Sequence, residues 1–98
     1  MRENMYYAVY DISDAKTRLR TIQTLKDAGF VRIQKSVFCG RLSSQQKKNL
    51  VENLKRVSGE FESIYLIITC KHCFGKITII GQGFDMEYVS DEKAIEVI

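Results

Sequence analysis

Met5-Tyr6-Tyr7-Ala8-Val9-Tyr10-Asp11-Ile12-Ser13-Asp14 carries an unbroken apolar and aromatic run into an Asp-Ile-Ser-Asp turn. A run of that length without polar interruption reads as a buried strand. The polar turn after it reads as the start of a helix, with Ser13 or Asp14 able to serve as the N-cap. Beyond it, Ala15, Leu19, Ile22 and Leu25 recur at helical spacing, and Gly29 stands where a left-handed residue ends a helix. Arg18, Arg20 and Lys26 fall off that apolar stripe.

Residues 30–42 have strand-like composition, either as two strands reversing near Gln34 and Lys35 or as one bent strand. Ser43 and Gln46 form a capping-box pattern ahead of Leu50, Val51, Leu54 and Val57, which predicts a second helix that Gly59 stops. Residues 63–70 and 76–81 read as a strand pair joined by a turn containing Gly75, and residues 94–98 are a last apolar stretch. Strand, helix, strand, strand, helix, strand gives an α+β, ferredoxin-like split βαβ arrangement (βαββαβ) with an extra C-terminal strand. There is no proline, linker-like segment or internal repeat, so residues 1–98 are expected to form one domain.

In this arrangement both helices pack on one face of the sheet. Yet residues 5–9 and 64–68 are apolar without alternation, as expected when both faces are covered. A second copy of the chain under twofold symmetry is the simplest cover, so a homodimer is expected.

Charge divides the chain. Residues 1–56 hold 12 Lys and Arg against 5 Asp and Glu, a balance of +7, whereas residues 57–98 hold 3 against 7, a balance of −4. A basic first half suits a phosphate backbone. The first four residues carry no apolar leader and the longest apolar run is too short to span a bilayer, so the expected setting is cytoplasmic, with no membrane partner. Cys39, Cys70 and Cys73 are an odd set, which argues against a disulfide framework. Cys70-Lys71-His72-Cys73 lacks a second ligand pair for zinc. A redox C-x-x-C should open a helix after a strand, whereas these residues are expected to close a strand before a hairpin turn, so reduced structural thiols are expected.

Asp11 is the candidate for chemistry, since it puts a carboxylate at a strand end beside a helix start while Ser13 and Asp14 are better placed to cap. One carboxylate is a poor metal site by itself. Two copies meeting near a twofold axis would supply two, and magnesium commonly uses one or two carboxylates while keeping several waters.

Gly29-Phe30-Val31-Arg32-Ile33-Gln34-Lys35-Ser36-Val37-Phe38-Cys39-Gly40, taken with Tyr10-Asp11-Ile12-Ser13-Asp14, resembles the CRISPR-associated Cas2 family, small nuclease-like proteins of spacer acquisition. The resemblance extends over nearly the whole chain. It implies a ferredoxin-like homodimer in which Asp11 of both chains lines a site for Mg2+ or another divalent metal such as Mn2+. The activity it implies is a metal-dependent endonuclease on single-stranded RNA or double-stranded DNA. Matching positions make Tyr10, Arg18, Arg20, Arg32 and Phe38 candidate site-supporting or phosphate-contacting residues, and residues 91–98 a strand that pairs with the partner protomer. The resemblance also implies a non-catalytic alternative, an adaptor dimer that bridges dimers of the CRISPR-associated integrase and holds the spacer duplex. Cys39 stands where an acidic residue is frequent in that family. A toxin-type ribonuclease of the virulence-associated D group shares a similar G-F-V-R-x-Q-x-S element and is a further alternative.

Overall fold

The computed structural model describes residues 2–59 and 62–81. Within them the chain runs β1 (Glu3–Asp11), α1 (Ala15–Asp27), β2 (Val31–Gln34), β3 (Val37–Ser43), α2 (Ser44–Val57), β4 (Ser63–Thr69) and a short α3 (Lys71–Phe74). The sheet order is β2-β3-β1-β4, and every neighbouring pair is antiparallel. This is the ferredoxin-like split βαβ topology, with β3 inserted between β2 and β1.

β1 sits inside the sheet, with Tyr7 opposite Cys39 on one side and Ile67 on the other. Its side chains alternate. Tyr6, Ala8, Tyr10 and, beyond the strand, Ile12 are buried in one cluster with Leu25 of α1, Leu50 and Leu54 of α2, Phe30, Phe38 and Leu42. Full burial of a Leu or Phe side chain is worth about 1.5–3 kcal/mol, so this single layer between sheet and helices carries most of the fold's apolar gain. Met5 and Tyr7 face the other way, where Val37 joins them around the buried Ile33, Cys39 and Phe74.

The ends of the helices are built as their residues dictate. Asp14 is the N-cap of α1, and the chain leaves that helix through Gly29 at φ 88°, a value that costs glycine nothing. Ser43 and Gln46 make both bonds of a capping box at α2, an arrangement whose serine is worth about 0.5–2 kcal/mol. Residues 35 and 36 form a tight turn between β2 and β3, so residues 30–42 are two strands, not one bent strand. The register slips between Arg32 and Gln34, leaving a bulge at Ile33.

The structure corrects the sequence reading in three places. Leu19 is 66% exposed, and Thr21 takes the buried position on α1 together with Leu25. Thr21 tolerates burial because its hydroxyl donates to the Thr17 carbonyl at 2.9 Å, leaving only a methyl to pack. Residues 76–81 form no strand. The chain instead turns into α3, with the Phe74 N–H donating to the Cys70 carbonyl at 2.8 Å. That turn buries Phe74 and stacks its ring on Tyr7 with centroids 5.5 Å apart, an apolar gain that a hairpin continuing away from the sheet would forgo. Cys70 and Cys73 are exposed rather than packed as structural thiols. Residues 82–98, which include the expected partner-pairing strand, lie outside the described residues.

Gly40 packs closely against the Phe30 ring. A Cβ there would lie 2.6 Å from Cδ1 and 2.8 Å from Cγ of the Phe30 ring, itself only 2% exposed. Gly40→Ala is therefore expected to destabilise the fold by about 1–3 kcal/mol, read as a lower midpoint in urea unfolding with an unchanged m value. An unaltered midpoint would mean that the Phe30 ring can shift freely.

Candidate functional site

Asp11 is the last residue of β1 and lies opposite Ser63 of β4. It is exposed, and its carboxylate makes no hydrogen bond or ion pair among the described residues. The capping role falls to Asp14, whose Oδ2 accepts the Thr17 N–H at 2.9 Å and the Thr17 hydroxyl at 2.8 Å. The Thr17 backbone N–H, followed by its hydroxyl, holds the Asp14 carboxyl below its ordinary value. Asp14 thus stays ionised at the helix start, and Asp11 is left free for a ligand.

The loop that follows Asp11 is held from both sides. Ile12 is buried in the main core. From α1, Nη1 of Arg18 donates to the Ile12 carbonyl at 3.2 Å and to the Ser13 carbonyl at 3.3 Å. Arg18 therefore fixes the backbone beside Asp11 and keeps a cationic group close to that rim.

A second anchor lies on the other side of the same strand end, where the carbonyl of Lys35 in the β2–β3 turn collects three donors. The Tyr10 hydroxyl donates to it at 2.8 Å, Arg32 Nη2 at 2.6 Å and Arg32 Nε at 3.2 Å. The Tyr10 N–H donates to the neighbouring Ser36 carbonyl at 3.1 Å. The Arg32 guanidinium lies 5.8 Å from the Phe38 ring centroid, and the Tyr10 and Phe38 rings meet at 6.2 Å with a tilt of 38°. Tyr10, Arg32 and Phe38 thus form one structural unit that ties the turn to the strand carrying Asp11. Phe38 is fully buried and Tyr10 nearly so, which leaves them no surface to offer a phosphate. Arg20 stands apart, exposed on α1 with no side-chain bond among the described residues.

Sequence reasoning did not find the Lys35 carbonyl, because a backbone acceptor leaves no trace in residue identity. No group of three or more His, Cys, Asp or Glu side chains that could hold a metal occurs among the described residues. A single carboxylate with open space around it still fits a hard, water-rich cation such as Mg2+, provided that the second ligand comes from elsewhere.

The family model for CRISPR associated protein Cas2 matches residues 4–77, which contain Asp11 and every residue just described around it. The chain belongs to the Cas2 family. A relative from Korarchaeum cryptofilum, named CRISPR-associated endoribonuclease Cas2, is 40% identical over 76 residues, covering 76% of this chain and 82% of its own. The relative named CRISPR-associated endoribonuclease Cas2 1 from Archaeoglobus fulgidus is 30% identical over 95 residues, covering 96% and 99%. A crystal structure of a Cas2 protein superposes with a TM-score of 0.72 at 28% identity, covering 84% of this chain and 91% of its own. A hypothetical protein from Thermus thermophilus has a TM-score of 0.71 at 23% identity, covering 84% and 95%, and shares the fold. Membership in the Cas2 family displaces the virulence-associated D alternative. Among the described residues no helix is long and apolar enough to cross a membrane.

The Tyr10 hydroxyl is a test of the anchor. Tyr10→Phe keeps the buried ring and removes one donor to Lys35, and it is expected to cost about 0.5–1.5 kcal/mol of stability. Hydrogen exchange should quicken at the Ser36 and Val37 amides before it does at those of α2. Uniform quickening across the fold would show that the bond is not local to the turn.

Proposed function

We propose that this chain works as a homodimer and is a divalent-metal-dependent endonuclease of the CRISPR adaptation stage, hydrolysing phosphodiester bonds in RNA or double-stranded DNA. The observation that carries this reading is Asp11, an exposed carboxylate at the end of a central strand, relieved of capping by Asp14 and fixed in place by the Arg18 and Lys35 anchors. The Cas2 relatives named as endoribonucleases support a nuclease-type activity. Asp11 from each of two chains would hold Mg2+ or Mn2+, and a bound cation would acidify a water and offset charge on the phosphoryl oxygens. Arg18 holds the Ile12 and Ser13 carbonyls just after Asp11, while exposed Arg20, Lys47, Lys48 and Lys55 on the two helices offer charge to the phosphate backbone. A second copy of the chain is supported by the far face of the sheet, where Tyr65 is 59% and Ile67 48% exposed.

The adaptor reading, a dimer that holds the spacer duplex and bridges the CRISPR-associated integrase, is favoured by one observation. Cys39 is 1% exposed and packed with Ile33 and Phe74, so the position where the family often carries an acid offers no assisting carboxylate here. Two measurements separate the readings. Asp11→Asn is expected to abolish magnesium-dependent cleavage, as chelation does, while leaving duplex binding close to that of the parent chain. Cleavage undiminished in the variant would move the active site, and duplex binding without cleavage by the parent chain would select the adaptor. Replacing Arg20 by Ala is expected to flatten the slope of log affinity against log salt by about one unit, the loss of one phosphate contact. A slope unchanged from the parent would place the duplex on another face.

A further inference from the structure

A redox C-x-x-C opens a helix after a strand, a setting that the amino-acid sequence does not predict for Cys70 and Cys73. That is the setting the structure provides. β4 ends at Thr69, Cys70 follows, and Lys71–Phe74 is helical. The Cys70 carbonyl closes the first turn by accepting the Phe74 N–H at 2.8 Å, and the Cys70 Sγ accepts the Cys73 N–H at 3.2 Å. Both side chains are exposed and neither is in a disulfide. Two residues three apart in one helical turn have Cα atoms about 5 Å apart by helix geometry, within the range of roughly 4.4–6.8 Å that a disulfide spans.

The two sulfurs are not equivalent. The Cys73 backbone N–H, and then the Cys73 side chain, lower the pKa of Cys70, while the bond to Cys70 raises that of Cys73. A thiol that ionises more readily at the first position than at the second is the asymmetry that thiol–disulfide exchange uses. Cys39 lies outside this chemistry, since burial leaves it 1% exposed and pushes its thiol up to about 11.

We propose that Cys70 and Cys73 are a thiol–disulfide exchange pair whose oxidant is a low-molecular-weight disulfide. The Cys70 thiolate attacks one sulfur of the small disulfide, whose S–S bond breaks and releases one thiolate that takes up a proton. The mixed disulfide on Cys70 is then attacked by Cys73, which gives its proton to solvent as the second small thiol leaves and is protonated in turn. Two cysteine thiols are oxidised to one internal disulfide, and one small disulfide is reduced to two thiols. The closed bond spans the turn that seats Phe74 on Tyr7, so the cover of the far sheet face becomes covalently braced.

The test is incubation of the full native chain with oxidised glutathione, followed by acid trapping, intact mass measurement and peptide mapping. The expected product has lost two hydrogens, carries a Cys70–Cys73 link and retains a free Cys39 thiol. Cys73→Ser is expected to accumulate a glutathione adduct on Cys70 several-fold faster than Cys70→Ser accumulates one on Cys73, with circular dichroism showing both variants folded. The proposal is overturned by stable adducts on both cysteines of the parent chain, by a disulfide between chains, by no reaction at all, or by faster adduct formation on Cys73.

Discussion

The antiparallel pairing of β1 on both of its edges is the constraint from which the rest of the molecule follows. With β3 on one side and β4 on the other, the strand cannot slide by one residue without moving Tyr6, Ala8 and Tyr10 out from beneath the helices. The same register decides where the strand ends. It puts Asp11 opposite Ser63 at the rim, one residue past a tyrosine committed to the core. The position of the carboxylate is therefore a by-product of core packing, set by the burial of its neighbours rather than by any bond of its own.

Two anchors then convert a strand end into a rigid platform. Arg18 reaches back from α1 to the carbonyls of residues 12 and 13, and Arg32 with Tyr10 gathers the turn from β2. Both arginines commit guanidinium donors to backbone oxygens near the rim, so its cationic groups are internally bonded. Charged hydrogen bonds of this kind are stronger than neutral ones, which suits a place where a short loop has to hold its shape beside a free carboxylate.

Much of this was legible in the residues. The unbroken run of residues 5–10 announced the buried strand, Ser43 and Gln46 announced the cap of α2, and Gly29 announced the exit from α1. Asp11 stood out because a better capping residue lay three positions later. What stayed hidden was decided by contacts that no period encodes. Thr21 is buried on α1 while Leu19 is exposed, and the threonine satisfies its hydroxyl on the preceding turn. Phe74 folds back onto Tyr7 because an aromatic ring gains more by stacking there than by continuing a hairpin into solvent. Choices of that kind weigh one burial against another, and they require the sheet to exist before they can be made.

The acceptor that gathers Tyr10 and Arg32 is a main-chain oxygen, and this has a consequence for how such a chain can vary. The turn is held by the peptide group at position 35, while the lysine side chain attached to it is exposed. Architecture and surface charge are thereby carried by different atoms of one residue. Substitution at position 35 can raise, remove or invert the local charge without disturbing any of the three bonds that define the corner. The site rim thus has an adjustable electrostatic setting that evolution or an engineer can turn while the scaffold beneath it stays the same.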